Sequence, residues 1–306
     1  CNSMFFQPNR IGYFYPRQFG LKYEEVFFKS TDGTQLTAWF LPAQGPPRGT
    51  IVFFHGNGAN ISNHLAIVRW LPAAGYAVFL FDYRGYGVSE GEPTRAGLIQ
   101  DGIAAIDTVR SRRDVDPNRL VVFGQSLGAP VAISALAQAG HQGVAALVVE
   151  GGFGSYREEA RLFMNERWLF WLLQYPVALI ISDDHRALDR LEALAHLPLL
   201  VIHSTGDRTV PIENGRRLYE AFPGQDKTLW VVDSLPHTAT FLPDGSPWRT
   251  KLLDYLEAKL GPPPARQNAK QLPRSMAHSI SHSIVNYRPS VGARHAVPLQ
   301  CRKVHE

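Results

Sequence analysis

The pattern G-x-S-x-G at residues 124–128 has the residue types and spacing of a reactive serine, Ser126. A strand predicted at 120–123 ends directly before it, and a helix predicted at 129–139 begins directly after it. This context is typical of a nucleophile elbow, where glycines permit a tight turn and the serine projects at a helix N-terminus. Free N–H groups there favour developing negative charge. The pattern predicts a nucleophilic serine; the alternative is a glycine-rich turn with an N-cap serine.

A serine hydroxyl is a poor nucleophile without a base, so an acid and then a histidine are expected downstream. Asp207 follows the strand predicted at 199–202, and His237 follows the strand predicted at 227–232. Since parallel strands end at one edge of a sheet, both side chains are expected beside Ser126. The weaker rivals follow the wrong strand or lie in an insertion, and they are His203, Asp233, Asp183 and Asp184.

Two backbone N–H groups are expected to hold the oxyanion that forms during acyl transfer. One belongs to Leu127, directly after the nucleophile. The other is expected from the glycine-rich loop at 55–60, where Asn57 is the predicted donor and Gly58 the alternative. His55 is expected to be a structural residue under this loop. The glycine-rich segment 82–87 lacks the spacing of a phosphate-binding loop and is interpreted as a tight turn beside the site.

The apolar pattern predicts the sheet that positions these residues. Two alternating segments, 23–29 and 35–41, predict a hairpin. Continuous apolar runs are typical of strands buried on both faces of a parallel sheet, and they occur at 50–54, 77–81, 120–123, 145–149, 199–202 and 227–232. Helical segments separate most of them, at 61–74, 94–112, 126–139, 212–222 and 247–260. The sequence therefore predicts the α/β class, with a mostly parallel eight-stranded sheet and helices on both faces.

The connection between the fourth and fifth parallel strands is too long for an ordinary loop. We interpret residues 153–197 as a helical cap over the carboxyl edge of the sheet. Its aromatic residues either pack on the body, line an acyl-sized substrate pocket or dip into a membrane surface, and they are Phe163, Trp168, Phe170 and Trp171. The apolar stretch at 168–181 is too short to span a bilayer.

Composition excludes several protein classes. With 45% hydrophobic and 19% charged residues, the 306-residue chain is not disordered throughout. Its two cysteines, Cys1 and Cys301, exclude a disulfide-rich scaffold and a cysteine-based zinc site. The net charge of +4 is concentrated in residues 262–306, where seven Lys and Arg face one acid, so that this tail carries +6 and the rest −2. We interpret the tail as a flexible, solvated extension and expect no nucleic-acid partner, no metal and no organic cofactor.

The chain begins with Cys1, Asn2 and Ser3 rather than Met. This start resembles a mature bacterial lipoprotein, in which the cysteine after a cleaved signal peptide carries lipid; the alternative is an arbitrary chain boundary. Lipidated Cys1 predicts an exported, membrane-anchored protein, and the alternative leaves a cytoplasmic one. Residues 1–22 are accordingly expected to be a linker or anchor before a monomeric α/β domain at 23–261.

Several motifs together resemble the α/β-hydrolase superfamily: HGNG at 55–58, DYRGYG at 82–87, GQSLG at 124–128, GDRTVP at 206–211, and His237. Within it the sequence is most similar to membrane-associated hydrolases of the palmitoyl-protein-thioesterase type and their bacterial relatives. The resemblance implies hydrolysis of an acyl ester or thioester substrate by Ser126, His237 and Asp207. The departures are Leu235 and Pro236 before the histidine, a longer and more aromatic cap, and the basic tail.

Other functions remain open at this point. The same three residues can cleave peptides in an aminopeptidase, where a free amino terminus needs an acidic patch. The candidates for that patch lie in the cap and are Glu158, Glu159, Asp183 and Asp184. A non-catalytic lipid-binding or scaffold protein is the second alternative, and a nucleic-acid role through the tail is the third.

Overall fold

The computed structural model describes residues 6–165, 175 and 181–262. Its strands are β1 (Gln7–Pro8), β2 (Glu24–Lys29), β3 (Gln35–Leu41), β4 (Gly49–Phe54), β5 (Gly58–Ala59), β6 (Tyr76–Asp82), β7 (Leu120–Gln125), β8 (Val144–Glu150), β9 (Leu199–Ser204) and β10 (Lys227–Val232). Its α-helices are α1 (Ile61–Val68), α2 (Arg95–Ser111), α3 (Gly128–Ala139), α4 (Tyr156–Asn165), α5 (Ile212–Ala221) and α6 (Pro247–Leu260).

Eight of these strands form one sheet in the order β10-β9-β8-β7-β4-β6-β3-β2. The strands from β10 to β6 run parallel, while β3 is antiparallel to both β6 and β2. The predicted mostly parallel, eight-stranded sheet is confirmed. The parallel strands β4, β7, β8, β9 and β10 all end at the same edge, which is where the predicted site residues follow them.

Both faces of the sheet are covered, as the continuous apolar runs predict. Every residue of β4 is buried, and its side chains alternate between two hydrophobic clusters, with Val52 and Phe54 in one and Ile51 and Phe53 in the other. Helices α1 and α6 contribute to the cluster that holds Phe53, and α2, α3 and α5 contribute to the opposite one. A sheet covered in this way holds its strand ends rigidly.

Two predicted helices have different bounds in the structure. The helix predicted at 61–74 ends at Val68 and is followed by a 3₁₀ turn at Pro72–Ala74. Pro72 has no backbone N–H with which to continue the α-helical hydrogen bonds. The helix predicted to begin at Ser126 begins at Gly128, because Ser126 has a left-handed backbone with φ +52°.

The described part of the N-terminal segment lies against the domain body. Strand β1 pairs in parallel with β5, and Phe6 and Leu21 are buried. A two-residue strand has no periodicity that a sequence pattern could detect.

The segment predicted to be a cap begins with α4 and is described again from Ile181, with 3₁₀ turns at Ala187–Arg190 and Glu192–Leu194. Trp168, Phe170 and Trp171 lie outside the described residues, as do Cys1 and the tail from residue 263. Among the helices that are described, none combines the length and apolar character needed to cross a membrane.

Candidate active site

Ser126 stands on a strained turn between β7 and α3. Its φ of +52° is unfavourable for a residue with a side chain and costs of order 1–3 kcal/mol, which the surrounding contacts must offset. Its backbone N–H donates to the Glu150 carbonyl at 2.9 Å, and its own carbonyl accepts from the Ala129 N–H at 3.0 Å. The residue is partly exposed while its neighbours are buried. The turn thus presents one hydroxyl at the carboxyl edge of the sheet.

The two glycines of the G-x-S-x-G pattern are required by close backbone approach. A Cβ on Gly124 would lie 2.6 Å from the Gly128 carbonyl oxygen, and a Cβ on Gly128 would lie 2.0 Å from the Phe54 carbonyl oxygen. Backbone atoms cannot move away from such contacts as a side chain can. Both positions therefore require glycine, which is the reason for which the sequence predicted a nucleophile elbow.

Ser126, His237 and Asp207 form one hydrogen-bonded chain. The His237 Nε2 atom lies 2.9 Å from the Ser126 Oγ, and the His237 Nδ1 atom lies 2.6 Å from the Asp207 Oδ2. Since a carboxylate only accepts, Nδ1 carries the proton and Nε2 is left to accept from the serine hydroxyl. The structure brings together the three residues that the sequence predicted from strand ends, and the imidazole has the tautomer that a general base requires.

Asp207 is held by both of its carboxylate oxygens. The Oδ1 atom accepts from the N–H groups of Thr209 and Val210, each at 2.9 Å, while Oδ2 faces His237. His203, the rival candidate, donates from Nε2 to the Val210 carbonyl at 2.8 Å and lies 3.5 Å from Oδ2. Burial alone would raise the pKa of Asp207, but the hydrogen bonds from both histidines and the Val210 N–H hold it well below its usual value. Asp207 is therefore ionised at neutral pH.

The loops that carry Asp207 and His237 are tied to each other. The Ser204 hydroxyl donates to the Leu235 carbonyl at 2.6 Å. The Thr205 hydroxyl donates to Asp233 and accepts from the Ser234 N–H, both at 3.0 Å. The Leu235 carbonyl therefore contributes to this connection between the two loops. The rival acid Asp233 also contributes to it, instead of binding the imidazole.

Gly151 leaves space for the His237 ring. Its φ is +57°, and a Cβ there would lie 3.2 Å from His237 Cε1 and 3.0 Å from Thr238 Cγ2. A side chain at this position would push the imidazole away from its partners.

The loop at residues 55–60, which we call the oxyanion loop, runs directly beside the nucleophile. The Cβ position of Gly56 lies 3.5 Å from the Ser126 Cβ. On the other side, Leu127 precedes α3 with a helical backbone, at φ −52° and ψ −34°. Amides at a helix start have no carbonyl partner within the helix, and the Leu127 N–H is of this kind. The two elements predicted to supply oxyanion donors therefore flank Ser126.

Hydrogen bonds from three other residues hold the oxyanion loop in place. The Asn57 Oδ1 atom accepts from the Gln7 N–H at 3.0 Å and from the Tyr86 hydroxyl at 2.9 Å. His64 Nε2 lies 2.9 Å from the Gly58 carbonyl oxygen. The Asn57 Oδ1 atom is therefore occupied in holding the loop, and the role of the Asn57 backbone N–H as an oxyanion donor stays a prediction.

His55 is fully buried beneath the oxyanion loop. Its Nδ1 lies 2.8 Å from the Gly56 carbonyl oxygen, and its Nε2, which has no hydrogen bond within the described residues, lies 3.5 Å from Asp82 Oδ1. Burial raises the pKa of Asp82 to about 8 and lowers the pKa of His55 well below its usual value. His55 therefore supports the loop as a neutral residue, as expected from the sequence.

The predicted substrate and lipid sites are placed only in part. Phe163 lies on α4 with 36% of its surface exposed. Trp168 and Trp171, predicted to line the same pocket, and Cys1, the predicted lipidation site, lie outside the described residues. Their roles stay predictions.

Sequence reasoning missed the residues that brace the site, among them Gln7, His64, Tyr86 and Glu150. Glu150 carried a signal, since a charged residue at the end of a buried apolar run calls for a buried partner. Gln7 and Tyr86 contact Asn57, which is 50 and 29 positions away, and His64 contacts Gln125, 61 positions away. No local pattern marks such contacts.

This geometry can perform nucleophilic acyl transfer. The imidazole can accept the Ser126 proton, and Asp207 can stabilise the resulting imidazolium. The two elements predicted to hold the oxyanion lie on either side of the serine. No cluster of three His, Cys, Asp or Glu in the part of the chain that the structure describes could hold a metal ion.

Comparison with known proteins identifies related chains. Residues 45–181 match the family described as "Serine aminopeptidase, S33". The protein YfhR of Escherichia coli (strain K12) is 32% identical over 244 residues, which are 78% of this chain and 82% of YfhR. The α/β hydrolase domain-containing protein WAV2 of Arabidopsis thaliana is 32% identical over 254 residues, 79% of this chain and 81% of WAV2.

Solved structures share the same fold. An esterase of Pyrococcus furiosus superposes with a TM-score of 0.68 at 23% identity, covering 84% of this chain and 98% of the esterase. An acylaminoacyl peptidase of Pyrococcus horikoshii superposes with a TM-score of 0.61 at 22% identity, covering 78% of this chain and 41% of the peptidase. With relatives above 30% identity across most of its length, and with this sheet and elbow, the chain belongs to the α/β-hydrolase superfamily.

Proposed function

We propose that the protein is a serine hydrolase that cleaves carboxylic esters or thioesters through an acyl-enzyme intermediate. The observation that carries the proposal is the hydrogen-bonded chain from Ser126 through His237 to Asp207, with distances of 2.9 and 2.6 Å. Each member of the chain lies at a strand end, and the tautomer is the one that a general base needs. The same geometry supports both substrate classes, since each presents an acyl carbonyl to the serine.

In the acylation step the Ser126 Oγ attacks the acyl carbonyl while its proton passes to His237 Nε2. The carbonyl oxygen becomes an oxyanion, held by the backbone N–H groups of Leu127 and Asn57. The imidazolium then protonates the leaving alcohol or thiol as the tetrahedral intermediate collapses. Water, deprotonated by His237, releases the acid and restores the serine by the same route.

Typical values for serine hydrolases indicate how much each group lowers the activation barrier. Loss of one oxyanion donor costs about 3 kcal/mol of transition-state stabilisation. Loss of the acid that orients the imidazole lowers kcat by ~10⁴, because the proton moves to the wrong nitrogen. Both figures concern groups that contact the reacting atoms or His237 directly.

A serine aminopeptidase is the second candidate, favoured by the description of the matching family. An aminopeptidase must bind a free amino terminus with acidic groups. Glu158 pairs with Arg217 at 2.8 Å, and Asp183 accepts from the Ser155 hydroxyl at 2.7 Å. Because acids of the cap segment are engaged in this way, we favour acyl substrates without an amino terminus.

The test measures hydrolysis of nitrophenyl esters and acyl thioesters from acetyl to palmitoyl, with amino-acid nitroanilides in parallel. Ser126→Ala should abolish turnover of the cleaved class, while Ser111→Ala, which changes an exposed serine at the end of α2, should leave it unchanged. Turnover of nitroanilides alone would favour the aminopeptidase. If the folded protein cleaves neither class and a fluorophosphonate does not label Ser126, the proposal fails.

A further inference from the structure

A continuous chain of buried polar groups lies beneath the nucleophile, and the steps above do not use it. His64 Nε2 lies 2.9 Å from the Gly58 carbonyl oxygen, and His64 Nδ1 lies 3.2 Å from the Gln125 Oε1 atom. The Gln125 Nε2 atom lies 3.0 Å from the Glu150 Oε2 atom, and the Glu150 Oε1 atom accepts from the Thr240 N–H at 3.1 Å. The side chains of Gln125 and Glu150 are fully buried, and His64 is 8% exposed.

This hydrogen-bonded chain connects the oxyanion loop, the nucleophile elbow and the segment that follows His237. It begins at the oxyanion loop, passes through the residue directly before Ser126, and ends three residues after His237. The Glu150 backbone carbonyl also accepts the Ser126 N–H at 2.9 Å. Glu150 therefore holds the elbow with its backbone and the segment 237–240, which we call the histidine loop, with its side chain.

Two placements of the protons satisfy the hydrogen bonds of this side-chain network. A carbonyl oxygen only accepts, so His64 Nε2 carries a proton towards Gly58. In the amide orientation of the structure, the Gln125 oxygen faces His64 and its NH₂ faces Glu150, which requires an imidazolium and an ionised carboxylate. A neutral imidazole has a bare Nδ1, which needs the NH₂ of Gln125. With the amide turned by 180°, which exchanges two groups of nearly equal shape, this NH₂ faces His64 and the amide oxygen faces a protonated Glu150. Both arrangements hold the same number of protons.

Burial decides between them. The ionised arrangement places a cation and an anion among buried groups with a neutral amide between them, which costs far more than the neutral arrangement. Burial raises the pKa of Glu150 and lowers the pKa of His64, so both groups favour their uncharged forms. We propose that Glu150 is a neutral carboxylic acid that donates to Gln125 and acts as a positioning residue, tying the histidine loop to the nucleophile elbow.

This neutral acid has an isosteric substitute, which makes the proposal testable. In Glu150→Gln the new carbonyl accepts from the Thr240 N–H and the new NH₂ donates to the Gln125 oxygen, so the chain persists. In Glu150→Leu both bonds are lost, and the Thr240 N–H and the end of the Gln125 amide that faced Glu150 lose their partners. A carboxylate, which only accepts, would not be replaced faithfully by glutamine.

The kinetic arm of the test rests on the proposed function. Glu150→Gln should keep kcat within ~3-fold of the native enzyme, and Glu150→Leu should lower kcat by ~10- to 100-fold with a smaller change in KM, since two buried groups lose partners. The acidic limb of the pH profile should not move in Glu150→Gln. A shift of this limb to lower pH in Glu150→Gln, which is the effect of removing a negative charge close to the site, would overturn the proposal.

Two spectroscopic arms need no substrate. The infrared difference between the native protein and Glu150→Gln at neutral pH should contain the carbonyl band of a protonated carboxylic acid, with Asp82→Asn as the reference for the other buried acid. The downfield ¹H NMR signal of the His237–Asp207 hydrogen bond should persist in Glu150→Gln and shift or vanish in Glu150→Leu.

The outcomes separate the two levels of inference. A missing carboxylic acid band refutes the neutral Glu150, and an unmoved NMR signal in a folded Glu150→Leu variant refutes its positioning role. Should Glu150→Leu fail to fold, the infrared band and the retained NMR signal of Glu150→Gln still decide. Failure of the proposed function appears instead as no Ser126-dependent turnover, and both spectroscopic arms remain readable in that case.

Discussion

Asp207→Asn should reverse the tautomer of His237, and the structure fixes the direction of this change. The Asp207 Oδ1 accepts two backbone N–H groups, from Thr209 and Val210, each at 2.9 Å. In asparagine the single oxygen stays with these two donors, so the NH₂ replaces Oδ2 and faces the imidazole. The NH₂ donates to Nδ1, the ring proton moves to Nε2, and Nε2 can no longer accept from Ser126.

The expected loss follows from the role of the tautomer. The change should lower kcat by ~10⁴, equivalent to about 5.5 kcal/mol of barrier, while KM changes by less than ~3-fold because binding of the ground state is not altered. The fold should persist, since the asparagine oxygen keeps both backbone bonds. Circular dichroism and thermal unfolding check this before the kinetics are compared.

The assay is steady-state hydrolysis of the best nitrophenyl ester at a pH where kcat of the native enzyme no longer rises with pH. The matched control is Asp233→Asn, which changes a nearby acid that pairs with Thr205 instead of the imidazole and should keep kcat within ~5-fold. A loss of less than tenfold in Asp207→Asn, or an equal loss in the control, would refute the reasoning.

Further predictions concern residues that brace the site. Gly151→Ala should cost about 1–2 kcal/mol through its positive φ and lower kcat by ~10- to 100-fold by displacing His237, measured by urea unfolding and kinetics; an unchanged kcat would contradict the 3.2 Å contact. The pKa of Asp82 is about 8 in the folded protein and 3.8 in the unfolded chain, so only the folded state keeps the proton between these values. The free energy of unfolding should therefore fall as pH rises across that range. Asp82→Asn should flatten this part of the profile, and an identical slope in urea titrations would refute the assignment. Tyr86→Phe removes one of two donors to Asn57, so kcat should fall by ~3- to 10-fold with a stability change near 1 kcal/mol; equal kinetics would show that the Gln7 N–H suffices.

The sequence alone determined the order of the main strands and helices and the position of the reactive groups. All eight strands of the main sheet appear within two residues of their predicted ends, because each is a continuous or alternating apolar run. Ser126, Asp207 and His237 could be chosen because parallel strands end at one edge, so that a residue directly after a strand lies at that edge whatever the details of packing.

Local pattern did not determine where the helix after Ser126 begins. A helical periodicity continues through the serine, but the close approach of Gly128 to the Phe54 carbonyl and the left-handed φ of Ser126 delay the helix until residue 128. The close approach joins α3 to β4, two elements that are far apart in sequence. Periodicity within one segment carries no information about such a contact.

Only the tertiary structure decided how the site is braced. The pairing of β1 with β5, the bond from Tyr86 to Asn57 and the buried chain through Glu150 each join residues that are far apart in sequence. The energetic reason is that a buried polar group must find a partner, while the identity of that partner depends on which loops the finished sheet brings together. Sequence determined which groups needed partners at the carboxyl edge, and packing determined which partners they received.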